Sequence, residues 1–219
     1  PAGFLDACRW VGHTYAEPGP FLTFTHGDPA PSNNHVALQG QVRFDHSAAG
    51  LDTKRTADDH VAPQGPQGLA VRLLDFEYGA FRHALYDLTA WDVLCPLPER
   101  IVGAMRRVYR TALATRLPAA SDAATFRTAW GAMVAFRGLA ILSWISHADG
   151  DADRPRVGDW TARESVLAVA GRVRQATAGE AQLVPVNQMA TGLEEGLRRR
   201  WPEYQGRDVL PRWPALQPR

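Results

Sequence analysis

His26, Asp28 and Asn33 share one short Gly/Pro-rich turn, His26-Gly27-Asp28-Pro29-Ala30-Pro31-Ser32-Asn33, which follows the apolar run Phe21-Leu22-Thr23-Phe24. A second apolar run, Leu69 to Leu74, delivers Asp75-Phe76-Glu77. Two carboxylate-bearing loops, each at the end of a short strand, suit metal-dependent phosphoryl transfer. That chemistry needs a carboxylate to orient the acceptor and take its proton late, help that is typically worth about 10²–10⁴-fold. Mg2+ prefers hard oxygen ligands and keeps most of its waters, so one carboxylate and one amide oxygen are enough from the protein. Asp28 is placed to act as the base, and Asn33 and Asp75 as metal ligands. Glu77 projects from the same strand end and can reach a metal directly or through water.

The order His26-Gly27-Asp28, Asn33, Leu74-Asp75-Phe76-Glu77 and Tyr86-Asp87-Leu88 resembles the aminoglycoside phosphotransferase and choline kinase superfamily. The resemblance spans residues 20–95 by motif and continues only as a similar run of helices. It implies an ATP- and Mg2+-dependent small-molecule kinase acting on a hydroxyl, with a protein-kinase-like fold. Asp28 would be the catalytic base, and Asn33 and Asp75 would hold Mg2+. His26 would steady the loop, and Asp87 would accept its backbone N–H groups as a structural support. Glu77 matches the Asp-Phe-Glu variant of the choline kinases.

The departure from that pattern is large. Family members place a nucleotide-binding lobe, with a strand lysine and a phosphate-covering loop, ahead of the catalytic loop. Here Lys54 is the sole lysine and follows His26, and no Gly-rich loop precedes it. The chain therefore reads as the large C-terminal lobe of such a kinase with the N-terminal lobe absent, expected to bind ATP poorly alone. The rival expectation is a non-catalytic binding or regulatory module, or a decayed kinase fragment. A metal-dependent hydrolase built on His26, Asp28 and Asp75 is a third reading, weakened because hydrolytic sites usually cluster several ligands.

The elements that must carry these residues follow from periodicity. Phe21 to Thr25 and Leu69 to Asp75 are too short for helices and are β-prone, so both read as strands, the first of them buried. Residues 35–46 alternate apolar and polar like a bent strand or two short ones, with Asp45-His46 as its end. Residues 47–68 lose all periodicity and read as a long exposed loop, which costs little extra entropy. Helical spacing begins at Leu85 and stops before Pro96. Glu99 to Leu117 is amphipathic, with Ile101, Val102, Met105, Val108 and Tyr109 on one side and Arg100, Arg106, Arg107 and Arg110 on or beside the other. Ser121-Asp122 can cap a helix to about Ser146 that is apolar around most of its surface, as central helices are. Thr161 to Glu164 is a capping box for a helix to Ala178, and Asn187 to Trp201 reads as the last helix. Trp91, Trp130 and Trp144 fall at helical positions and read as core.

The fold expected is α+β and mostly helical, in one lobe over residues 1–219. Residues 20–95 hold the catalytic and metal loops, 96–201 the helical acceptor-binding part, and 202–219 an irregular tail. The acidic run Asp149, Asp151 and Asp153 is a candidate for attracting a cationic acceptor.

Composition sets the outer bounds. The chain has 219 residues, 45% of them apolar, and a formal net charge of +1, which points to neither nucleic acid nor a membrane surface. Cys8 and Cys95 lack a metal or redox spacing and read as reduced thiols, so a cytoplasmic location is expected. No apolar run is long enough to span a bilayer.

Overall fold

A helix that is apolar on nearly every side must be wrapped by others, and the stretch from Ala123 to Trp144 is wrapped in this way. The computed structural model describes residues 2–29, 34–38, 69–73, 76–94, 97–144, 152–157 and 159–204. In chain order its elements are α1 (Phe4–Ala16), β1 (Leu22–Thr25), β2 (Asn34–Leu38), β3 (Leu69–Leu73), β4 (Ala80–His83), α2 (Leu85–Val93), α3 (Glu99–Ala114), α4 (Ala123–Trp144), β5 (Pro155–Val157), β6 (Trp160–Thr161), α5 (Ala162–Thr177) and α6 (Val184–Arg200). The structure is thus mostly helical, with small antiparallel strand pairs.

α4 packs against α1, α2 and α5, and α5 packs in turn on α6. Its start is capped as expected, Asp122 Oδ1 accepting the Thr125 N–H at 2.7 Å. Met133, Val134, Ala132 and Ala135 are fully buried on α4, joined in the core by Leu85, Val93, Val169, Val173, Leu183 and Val186. Gly131 and Gly138 let α5 approach closely. A Cβ at Gly138 would lie 2.3 Å from Val173 Cγ2, and one at Gly131 would lie 2.7 Å from the Ala176 carbonyl oxygen. Any larger residue would push the two helices apart.

α5 opens on the capping box read from the sequence. The Glu164 side chain accepts the Thr161 N–H at 2.9 Å, and Thr161 Oγ1 accepts the Glu164 N–H at 3.4 Å. Ion pairs then tie the helices at their edges. Glu194 on α6 receives Arg174 at 2.7 Å and Arg198 at 2.9 Å, and Arg172 on α5 lies 3.7 Å from the fully buried Asp92 on α2.

Several expectations need correction. β1 is not a buried strand: Leu22 and Phe24 are each 52% exposed, while Thr23 and Thr25 turn inward. A two-stranded ribbon has only one covered face, and here the threonines occupy it. β1 pairs with β4, Phe24 opposite Phe81, and β4 was not legible as a strand. Arg106 and Arg110 do not simply face solvent. Their guanidinium groups sit over the rings of Trp130 and Phe126 at 4.0 and 5.5 Å, where a flat cation fits an aromatic face. Val108, placed on the inner side of α3, is instead 72% exposed. The polar 149–159 stretch contains β5, paired with β6. The last helix starts earlier than expected, at Val184, with Pro185 in its first turn, where a missing N–H costs nothing. Trp144 is 72% exposed rather than core, whereas Trp130 is buried.

The expected strand end at Asp45-His46, Lys54, the 47–68 loop, Asp149 and Asp151, and the tail beyond residue 204 lie outside the described residues. Among the described residues no helix is long and apolar enough to cross a membrane.

Candidate functional site

β1 runs directly into His26, and β4 runs through Ala84 into α2, so pairing of the two strands brings the His26 turn against the first turn of that helix. Asp87 lies in this first turn, and its carboxylate accepts two consecutive backbone N–H groups, that of His26 at 2.6 Å and that of Gly27 at 2.9 Å. A charged acceptor shared by adjacent amides fixes the path of the loop. His26 is itself buried, and its Nδ1 accepts the Asp28 N–H at 3.3 Å. That bond requires the His26 proton, when the ring is neutral, to sit on Nε2. The ring also lies 4.5 Å from that of Phe76.

Gly27 has φ of +91°, and a Cβ there would fall 2.3 Å from the Tyr78 carbonyl oxygen. Both facts demand glycine. The same carbonyl accepts from Arg82 Nη2 of β4 at 2.8 Å, which braces the 76–78 turn where it lies close against Gly27. Glu77 is exposed in that 76–78 turn. Asn33 and Asp75 lie outside the described residues. The structure therefore brings together His26, Gly27, Asp28 and Asp87, with Glu77 on the adjoining turn.

Asp28 forms part of the wall of a cavity of about 580 Å³ between α1, α2 and α4. Its other walls are largely aromatic. Tyr15 and Phe136 stack with ring centroids 4.1 Å apart, Tyr86 lies 5.6 Å from Tyr15, and Ile141 and Trp144 complete the far end. A space of this size suits a drug-sized molecule.

Arg137 of α4 is the charge in this wall that sequence reading missed. It is 7% exposed and lies over the Tyr86 ring at 4.0 Å. Burial pushes its pKa down, against the opposing pull of Tyr86, Asp87 and Asp28. Its Nη1 is buried without a hydrogen-bond partner among the described residues. One signal was available in the sequence: Arg137 is the sole charge between Ala129 and Trp144, and Met133, Val134, Ala140 and Ile141 stand where helical ion partners would be. The aromatic wall residues Tyr15, Tyr86 and Phe136 come from separate helices and carried no local signal.

Asp153, read as part of an acidic lure, is engaged within the protein. It accepts the Arg163 N–H at 3.2 Å and the Tyr204 hydroxyl. No family model matches the chain, and no curated protein matches it in sequence.

Proposed function

We propose that this chain carries the catalytic loop and acceptor pocket of an ATP-dependent small-molecule phosphotransferase of the aminoglycoside phosphotransferase and choline kinase type. The observation that supports the reading best is the clamp of Asp87 on the His26 and Gly27 amides, which sets the next residue, Asp28, in the wall of a largely apolar, partly open cavity. An acceptor seated there would present a hydroxyl to Asp28. The carboxylate orients that hydroxyl and takes its proton as the new oxygen–phosphorus bond forms. The bond from the γ-phosphorus to its bridging oxygen breaks, and the nucleoside diphosphate leaves with that electron pair.

Asn33, Asp75 and Glu77 offer an amide oxygen and carboxylates, the hard donor chemistry that fits Mg2+. When bound, the ion would offset the negative charge of the phosphoryl oxygens. His26 and Asp87 accept hydrogen bonds from the loop backbone, keeping the loop in one conformation so that Asp28 need not reorganise. The aromatic walls offer flat apolar surface against which an acceptor can pack.

The test is ATP consumption by the natural full-length product across a panel of hydroxylated acceptors, for wild type and Asp28→Ala. Acceptor-stimulated turnover that falls by about 10²–10⁴-fold in the variant is the expected result. Equal turnover in the two proteins, or none stimulated by any acceptor, overturns the assignment.

A further inference from the structure

The cavity beside Asp28 is lined by a buried arginine whose hydrogen bonding is incomplete. Arg137 is held on one side by the Tyr86 ring at 4.0 Å, and its Nη1 is buried with no hydrogen-bond partner among the described residues. Leaving a charged donor unsatisfied in the interior is costly, and such groups concentrate where a ligand completes them. The nearby carboxylates do not fill the gap. Asp87 is occupied by the His26 and Gly27 amides, and Nη1 makes no hydrogen bond to it or to Asp28. Arg137, 7% exposed, is a lining residue of the same cavity as Tyr15, Phe136, Ile141 and Trp144. A planar fork of donors behind aromatic walls matches a carboxylate carried on a flat apolar body.

We infer that the pocket takes a hydroxylated aromatic acid, with its ring against Tyr15 and Phe136 and its carboxylate on Arg137. As a statement about the phosphoryl acceptor this rests on the phosphotransferase reading; as a binding site it rests on the cavity alone. It also reverses the expectation of a cationic acceptor. The cation in this wall comes from the protein, and Asp153 is already engaged by Arg163 and Tyr204.

The probes are 4-hydroxyphenylacetate, its neutral counterpart tyrosol and its cationic counterpart tyramine. They share one hydroxyphenyl body and differ in the charge of the tail. Binding to the full chain is followed without nucleotide, through the indole N–H resonance of Trp144, assigned with Trp144→Phe. The acid should bind about tenfold more tightly than either counterpart, as expected for one charge-assisted hydrogen-bonded pair. In Arg137→Met, which keeps the volume and removes the charge, acid and alcohol should bind alike. Equal or tighter binding of tyramine, a preference that survives in Arg137→Met, or no saturable binding of any probe overturns the inference. The wild-type comparison decides it even if Arg137→Met does not fold. Because phosphoryl transfer plays no part in this readout, the acid preference can stand while the turnover test fails, and the reverse.

Discussion

The Asp87 carboxylate lies 2.6 Å from the His26 amide nitrogen although sixty-one residues of chain separate them. One side chain on α2 therefore determines the conformation of a loop that follows β1. In Asp87→Asn the amide can accept one of the two N–H groups but turns its own donors toward the other. We expect a loss of about 2 kcal/mol in folding stability, the usual scale for a buried hydrogen bond to a charged group. Urea midpoints measure it, and a change below about 0.5 kcal/mol would mean that the loop is held by other contacts.

Gly27→Ala meets two obstacles at once, the left-handed φ of +91° and the Tyr78 carbonyl 2.3 Å from the new carbon. The 26–28 and 76–78 turns must separate. The expected cost is about 2–3 kcal/mol, together with loss of any acceptor-stimulated turnover. Thermal melting and turnover are measured on the same preparation, and a variant as stable and active as wild type contradicts the described turn.

His83 and Asp92 should oppose each other in acid. Burial lowers the His83 pKa from 6.5 to about 4, so its stabilising contribution is complete above 6.5 and declines as pH falls toward 4. Burial raises the Asp92 pKa from 3.8 to about 6, against the pull of Arg172 and Trp130, so its contribution is complete below 3.8 and is lost as pH rises through 6. Between those limits the two slopes cancel. Asp92→Asn removes one of them, and unfolding free energies at about pH 4.5 and about pH 5.5 should then fall with acid more steeply than in wild type, by about 1 kcal/mol per pH unit. Identical slopes in the two proteins would show that Asp92 stays ionised throughout.

The contact between α4 and α5 is sterically exacting. Gly138→Leu would drive its side chain into Val173, whose Cγ2 lies 2.3 Å from the first added carbon. A loss of about 3 kcal/mol or more is expected, with Gly12→Leu, where nothing lies within 4 Å of the added carbon, as the control. Comparable melting temperatures for the two variants would refute the close approach.

What could be read in advance was whatever is written locally. Thr161 and Glu164 announce a helix start because both partners of the capping box lie within one turn. The long apolar run from Ala129 to Leu142, broken only by Arg137, announces a central helix because so little of it could face water. β4 escaped because Ala80-Phe81-Arg82-His83 is too short to display a period, and the facing of β1 escaped because strand chemistry does not say which side is covered. Tyr15, Tyr86 and Phe136 meet only through tertiary packing of α1, α2 and α4. For the site, the hydrogen bonds from the His26 and Gly27 amides to Asp87 are those the family resemblance implied. Arg137 was not, because a lone charge on a buried helix needs the structure to show where it opens.

Arg137 stands on a central helix packed against α1, α2 and α5, next to Gly138. Its backbone amide can exchange with solvent only when the core itself opens, so protection there should equal the global unfolding free energy. The pocket consequently has no melting transition of its own on that side. The wall formed by α4 exists whenever the fold exists. Occupancy of the cavity would thus act as a thermodynamic brace on the whole helical body, and its effect should reach residues far from Asp28.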